Sequence, residues 1–171
     1  MDRVTERLHG GELFTFYWIN HVLRSSFFDW LMPKITHLGG VTSSVLCSLF
    51  LLFYKTTFWH QTGVHLASSL IVSHLLVNII KRFVRRRRPY QALDGVVMGT
   101  KPLRDASFPS GHSTAIFCIA TVLVQAIPSS FILFYSLASI VAFSRVYLGM
   151  HYPSDIMIGA SLGTITALLM G

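Results

Sequence analysis

The sequence predicts an all-α membrane protein: a polytopic helix bundle of about five transmembrane helices, preceded by short interfacial helices. Three observations carry this reading. Apolar residues make up 52% of the chain and charged residues only 12%, against about a quarter in an ordinary soluble domain. Mean hydropathy is +0.56. The charge is also clumped, which leaves several nearly charge-free runs of membrane-spanning length. The 171 residues read as one domain, with an interfacial segment over 1–34 and a transmembrane bundle with its loops over 35–171.

Taken in order, Met1–Gly10 is polar and charged and does not read as a cleavable signal peptide. Leu13, Phe14, Phe16, Tyr17, Trp18 and Ile19 are then interleaved with Glu12, Asn20, His21 and Arg24, and a second aromatic run follows from Phe27 to Pro33. These runs are too short to span, so helices lying at the interface are expected. The first span is expected over Ile35–Tyr54, with Gly39 and Gly40 near its start allowing close helix approach. After a turn over Lys55–His60, the second span runs from Gly63 to Arg82. His74, Asn78, Lys81, Arg85 and Arg88 step by four, three, four and three residues, which on one helix makes a single stripe facing the bundle interior. His74 and Asn78 in that stripe read as interhelical hydrogen-bonding groups. Pro89 disfavours helical geometry at Arg88.

Tyr90–Ser107 is polar, carries Gly95, Gly99 and Pro102, and is long for a connection between packed helices, which favours a lid or access loop. The third span is expected from Ser110 to Ile127, the turn at Pro128–Ser130, the fourth span over Phe131–Tyr147 and the fifth from Pro153 to the end. Five spans put the ends of the second and fourth and the starts of the third and fifth on one face. Lys81–Arg88, Ser110–His112 and Arg145–Asp155 therefore converge.

Those residue types point to phosphate chemistry. His151 and Asp155, four apart across a helix start, can face the same way. A carboxylate on one ring nitrogen leaves the other as nucleophile or base. Pro153 suits the first turn of that helix. At the third span, Ser110 can cap the helix, Gly111 lets a ligand approach the backbone, and free amides there attract phosphate. His112 stands where it can protonate a leaving oxygen. Lys81, Arg85 and Arg88 supply fixed cations for phosphate oxygens, and spacing does not say which arginines of the run take part. Each cluster alone has a bland alternative: a structural His–Asp pair, an ordinary helix cap, or a solvated basic patch.

Other classes fall away. The net charge is +7, from 14 Lys+Arg against 7 Asp+Glu, but no basic helix or aromatic platform stands clear of the apolar runs, so nucleic acid is not an expected partner. Cys47 and Cys118 lie inside apolar runs and read as buried thiols rather than a disulfide framework. Of the seven carboxylates only Asp155 lies near a histidine candidate, which makes a two-metal site hard to assemble. No cofactor and no metal are expected, and no glycine-rich nucleotide loop is present.

At these residues the sequence resembles the type 2 phosphatidic acid phosphatase family, related to vanadium haloperoxidases and bacterial acid phosphatases. That family shows Lys-x6-Arg-Pro, Pro-Ser-Gly-His and Ser-Arg-x5-His-x3-Asp. Here these read Lys81 to Arg88-Pro89, Pro109-Ser110-Gly111-His112, and Ser144-Arg145 with His151 and Asp155. The resemblance implies that His151 is the nucleophile, that Asp155 orients it and that His112 is the general acid. It also implies that Lys81, Arg88, Arg145, Ser110 and the Gly111 amide hold the phosphate. It gives Arg85, Arg86 and Arg87 no role.

The implied function is a membrane phosphatase for a lipid phosphate or pyrophosphate, working through a metal-independent phosphohistidine. Undecaprenyl pyrophosphate is the first expected substrate, and phosphatidate or phosphatidylglycerol phosphate the next. An anion channel or transporter built on the cationic cluster, or a phosphatase for soluble esters, are the alternatives. Membrane lipids are the other expected partners. The excess of Lys and Arg on the active-site face would put that face in the cytoplasm by the positive-inside rule. The resemblance implies the extracytoplasmic face of a bacterial plasma membrane, and that is the expectation adopted, the basic run being assigned to the substrate.

Overall fold

The computed structural model describes residues 3–171, with side chains from Gly10 onward. Among these residues the regular structure is entirely helical. The long helices are α1 (Arg3–Tyr17), α2 (Ser26–Ile35), α3 (Val41–Leu52), α4 (Thr57–Phe83), α6 (Gly111–Ala126), α7 (Phe131–Tyr147) and α8 (Pro153–Met170), with a four-residue α5 (Pro89–Ala92) after α4. Local chemistry sets their starts. Ser25 accepts from the Phe28 amide to open α2, Thr56 from Trp59 to open α4, and Ser110 from Ser113 to open α6. Pro153 takes the first position of α8, and Asp155 accepts from the Tyr152 amide at 2.9 Å.

Three helical segments are long and apolar enough to cross a membrane: Thr57–Phe83, Pro128–Tyr147 and Pro153–Met170. The Gly111–Ala126 helix is apolar but shorter. The span expected over Ile35–Tyr54 is broken: Ser26–Gly39 and Val41–Leu52 meet at 51°, and count as a fourth span if taken together. Gly40 is the hinge, extended at ψ 162 between a 3-10 turn (Thr36–Gly39) and α3. Ile71 and Leu75 on α4, Ile132 and Leu133 on α7, and Ile165 and Leu169 on α8 face outward. Such an exposed apolar belt suits hydrocarbon rather than water, and the protein is an integral membrane protein.

Helix α6 is the central post, with α3, α4, α7 and α8 around it. Its buried Ala115, Cys118, Ile119 and Val122 pack with Leu51, Leu66, Leu70 and Ala167. Hydrophobicity does not drive helices together inside lipid; close van der Waals contact does. The α6–α8 contact is of that kind: a Cβ on Gly163 would lie 2.1 Å from the Thr114 carbonyl oxygen, and one on Gly159 would lie 2.6 Å from that of Ser110. The obstacle is backbone, which cannot step aside. Gly163→Val is therefore expected to destabilise the protein by about 3 kcal/mol, the upper end of the overpacking range, read as a lower Tm and lost monodispersity in detergent.

A second core lies under α1 and α2, where Phe16, Ile19 and Met32 meet Val146, Tyr147, Leu148 and Met150. Asn20, fully buried in a wider π turn (Trp18–Val22), donates to the Val97 and Tyr147 carbonyls at 2.9 and 2.8 Å and accepts from the Val97 amide at 2.9 Å. The 93–97 stretch is thereby tied to the end of α7. Gly149 makes the turn after α7 at φ +72, where any side chain would be strained and a Cβ would lie 2.7 Å from Val96. That turn delivers His151.

Candidate active site

The clusters expected to converge do so at one end of the bundle. His151 is buried among three partners. Its Nδ1 lies 3.5 Å from Asp155 Oδ2 and 3.5 Å from Ser107 Oγ, long for hydrogen bonds but close for charge. Its Nε2 lies 3.1 Å from Arg88 Nη1. A guanidinium only donates, so Nε2 accepts and carries the lone pair, which puts the imidazole proton on Nδ1 toward Asp155. Burial disfavours the imidazolium most. Asp155 opposes that effect, and the Arg145 and Arg88 guanidiniums reinforce it, so the pKa of His151 is pushed well below the ordinary histidine value.

Asp155 is completely buried and its oxygens are filled. Oδ2 accepts from Ser107 Oγ at 2.5 Å and from the Tyr152 amide, and Oδ1 accepts from Arg86 Nη1 at 2.8 Å. Arg86 also reaches Ser154 Oγ at 2.7 Å and Glu12 Oε2 at 2.6 Å, and lies over the Tyr152 ring. Glu12 in turn accepts from the Ser154 amide and hydroxyl. Burial would raise the Glu12 carboxyl, but these bonds and the Arg86 charge outweigh it and leave it lowered.

Arg88 is nearly inaccessible and joins three segments. Nε and Nη2 hold the Asp105 carbonyl at 3.0 Å and its carboxylate at 2.8 Å, while Nη1 holds the Met150 carbonyl at 2.9 Å. Lys81 Nζ grips the other Asp105 oxygen at 2.5 Å. Burial alone would raise the Asp105 pKa; the Lys81 hydrogen bond and the Arg88 charge hold it down at about 2. An ionised carboxylate on a loop thus bridges two of the cations expected to hold phosphate. Arg145, also buried, donates from Nη1 to Thr36 Oγ1 at 2.7 Å, and its Nε has no partner among the described residues.

The His112 side chain makes no hydrogen bond among the described residues. With Arg145, Thr36, His37, Thr100 and Lys101 it lines a cavity of about 380 Å³. Ser110 is buried, its Oγ accepting from the Ser113 amide and hydroxyl at 3.4 and 3.1 Å. At Gly111 the nearest atom to an added Cβ would be Val77 Cγ1 at 4.0 Å, so that position is open. No group of three or more His, Cys, Asp or Glu side chains is placed to hold a metal ion among the described residues.

The expected polar stripe does not form. Helix α4 ends at Phe83, and the chain is extended by Arg88 (ψ 155), as the following proline requires. Arg85 and Arg87 are exposed, whereas Arg86 turns in to Asp155. His74 faces an apolar groove between α3 and α4, with Nδ1 3.0 Å from the Leu70 carbonyl, and Asn78 is exposed. Sequence reasoning passed over Arg86, Glu12, Ser107, Asp105 and Thr36. Only Arg86 carried a signal, its place in the basic run.

The sequence matches the model of the PAP2 superfamily over residues 62–170. The chain belongs to the PAP2 superfamily. This PAP2 protein is 31% identical over 166 residues to the phosphatidylglycerophosphatase B of Bacillus subtilis, covering 87% of this chain and 76% of that one. It is 32% identical over 111 residues to the lipid A 1-phosphatase of Rhizobium etli, covering 63% of this chain. The match spans about half of that relative, 48%. The crystal structure of Aquifex aeolicus LpxE superposes with a TM-score of 0.84 at 27% identity, covering 92% of this chain and 93% of that one. The PAP2 match takes in Lys81, Arg88, His112, Arg145, His151 and Asp155 but leaves out α1, α2 and α3.

Proposed function

We propose that this protein is a metal-independent membrane phosphatase for lipids bearing a terminal phosphate or pyrophosphate. The observation that carries the reading is His151, neutral and buried, with Asp155 behind Nδ1 and its Nε2 lone pair turned to the Arg88 guanidinium. The names of the relatives, a phosphatidylglycerophosphatase and a lipid A phosphatase, support the substrate class.

In the proposed reaction Nε2 attacks phosphorus. The bond to the leaving oxygen breaks and that oxygen takes a proton from His112. Water then cleaves the phosphorus–nitrogen bond, giving up its proton to the now neutral His112, and inorganic phosphate leaves. Asp155 holds the Nδ1 proton and stabilises the charge that develops on the ring. Lys81, Arg88 and Arg145, with the α6 amide at Gly111, hold the non-bridging oxygens; Asp105 gives way to them. Undecaprenyl pyrophosphate is the lead substrate, with the site on the extracytoplasmic face of a bacterial membrane and α1 and α2 at the interface. Four of the cations that weigh against that sidedness, Lys81, Arg86, Arg88 and Arg145, are engaged in or beside the site. Labelling of an Arg104→Cys variant, with Cys47 and Cys118 removed, by an impermeant thiol reagent on intact cells tests the face.

The deciding experiment is phosphate release by purified protein in detergent with EDTA present. Undecaprenyl pyrophosphate, phosphatidate, phosphatidylglycerol phosphate and a soluble phosphate ester are offered in parallel. Release that survives EDTA is expected; loss that added metal restores would overturn the metal-free step.

The pH profile follows from His151. The nucleophile works unprotonated and burial lowers its pKa. Activity is therefore kept as pH falls past the ordinary histidine value near 6.5 and is lost only at more acid pH. The proposed acid role asks that His112 carry its proton once the substrate is bound, and the negative charge of the phosphate beside it favours that form. An acid limb of kcat/KM centred near 6.5 would contradict the buried neutral nucleophile.

A further inference from the structure

The cavity beside His112 has more cationic and polar lining than a monoester needs. Attack by Nε2 with a proton delivered from His112 places the leaving group on the His112 side of the phosphorus. The cavity of about 380 Å³ opens on that side, bounded by His112, Arg145, His37, Thr100 and Lys101. That volume lies in the range of small-ligand sites, about 300–1,000 Å³. Two buried polar atoms, Arg145 Nε and Thr100 Oγ1, have no partner among the described residues and belong to its lining residues. Buried polar groups are satisfied in nearly every folded protein, so two orphans on one cavity point to a ligand that completes them. Lys101 is exposed at the rim and supplies a further cation. A leaving group that ends in glycerol or a sugar is uncharged and leaves the Lys101 ammonium unmatched, whereas a second phosphate matches it.

Resting on the phosphatase reading above, we infer that His37, Thr100 and Lys101, with Arg145 Nε, form a subsite for the second phosphate of a pyrophosphate ester. The subsite favours pyrophosphate over monophosphate lipids. The bond cleaved is then the one from the terminal phosphorus to the bridging oxygen. That oxygen takes the His112 proton and leaves on a lipid monophosphate, whose charge Lys101 and Arg145 balance. The terminal phosphoryl group passes to Nε2 and then to water.

Two measurements on the full-length protein, in detergent with EDTA, test this. The first is binding of inorganic pyrophosphate against inorganic phosphate by calorimetry. The wild type is expected to prefer pyrophosphate. Lys101→Gln should reduce that preference about tenfold, the effect of one charge-assisted contact, and Lys101→Arg should restore it. The second is kcat/KM for undecaprenyl pyrophosphate against undecaprenyl phosphate. Lys101→Gln and His37→Gln should lower the first by about tenfold and leave the second within about twofold. Equal losses on both substrates, no loss on either, or no binding preference in the wild type would overturn the subsite. A binding preference that depends on Lys101, without phosphate release from any lipid, would sustain the subsite and sink the phosphatase reading instead.

Discussion

His151→Ala is expected to lower kcat by at least about 1,000-fold while the protein stays folded and still binds phosphate. The imidazole is the group whose lone pair is both oriented and kept unprotonated. Asp155 fixes the proton on Nδ1, burial keeps the ring neutral, and Arg88 marks the direction in which Nε2 points. Alanine removes the nucleophile and leaves the cations in place, so affinity for inorganic phosphate is the control that separates lost chemistry from lost structure. A phosphate label trapped on the wild type by rapid quenching, stable to alkali and labile to acid, should be absent from the variant. Turnover within tenfold of wild type would show that the attacking group lies elsewhere and would discard the covalent route.

The second large effect is Arg88→Lys, a change that keeps the charge and loses the shape. One guanidinium donates to the Asp105 carbonyl and carboxylate and the Met150 carbonyl, and faces His151 Nε2. These partners come from the loop before α6 and from the turn after α7, so the planar fork holds two loops against one another. An ammonium donates from a single point and cannot span them. Leaving the buried Met150 carbonyl unsatisfied alone costs about 1–3 kcal/mol. Both kcat/KM, by about 100-fold or more, and Tm are expected to fall. A variant with normal stability and a selective rise in KM would mean that Arg88 only binds the phosphate and does not hold the loops.

Much of this site was legible in the sequence because it depends on counting. Apolar runs of spanning length, with charge at their ends, fix which ends share a face, and that alone brought Lys81, Arg88, His112, Arg145, His151 and Asp155 together. What was not legible depends on how the chain bends between the runs. The stripe from His74 to Arg88 assumed one helix, yet α4 stops at Phe83 and the extended residues before Pro89 turn Arg86, not Arg85, to Asp155. Pro89 accounts for the extended Arg88, but nothing in the basic run marks the end of α4 at Phe83. The break in the first span has a related cause: Gly39 and Gly40 both read as places of close approach. Gly39 is one, with a Cβ 2.8 Å from the His112 carbonyl oxygen, but Gly40 is a hinge. Glu12, Thr36 and Ser107 have no periodicity or motif to betray them, because each meets the site only through the return path of a loop or of the N-terminal helix.

That N-terminal helix bears on where the catalytic unit begins. The family match starts at residue 62, yet Glu12 braces Arg86 and Ser154, and Thr36 braces Arg145. A chimera joined at that boundary would inherit every motif residue and still lose the prop beneath Arg145 and, through Arg86, the one behind Asp155. Segments exchanged there between relatives would therefore act as a dial on turnover, set from outside the stretch by which the family is recognised.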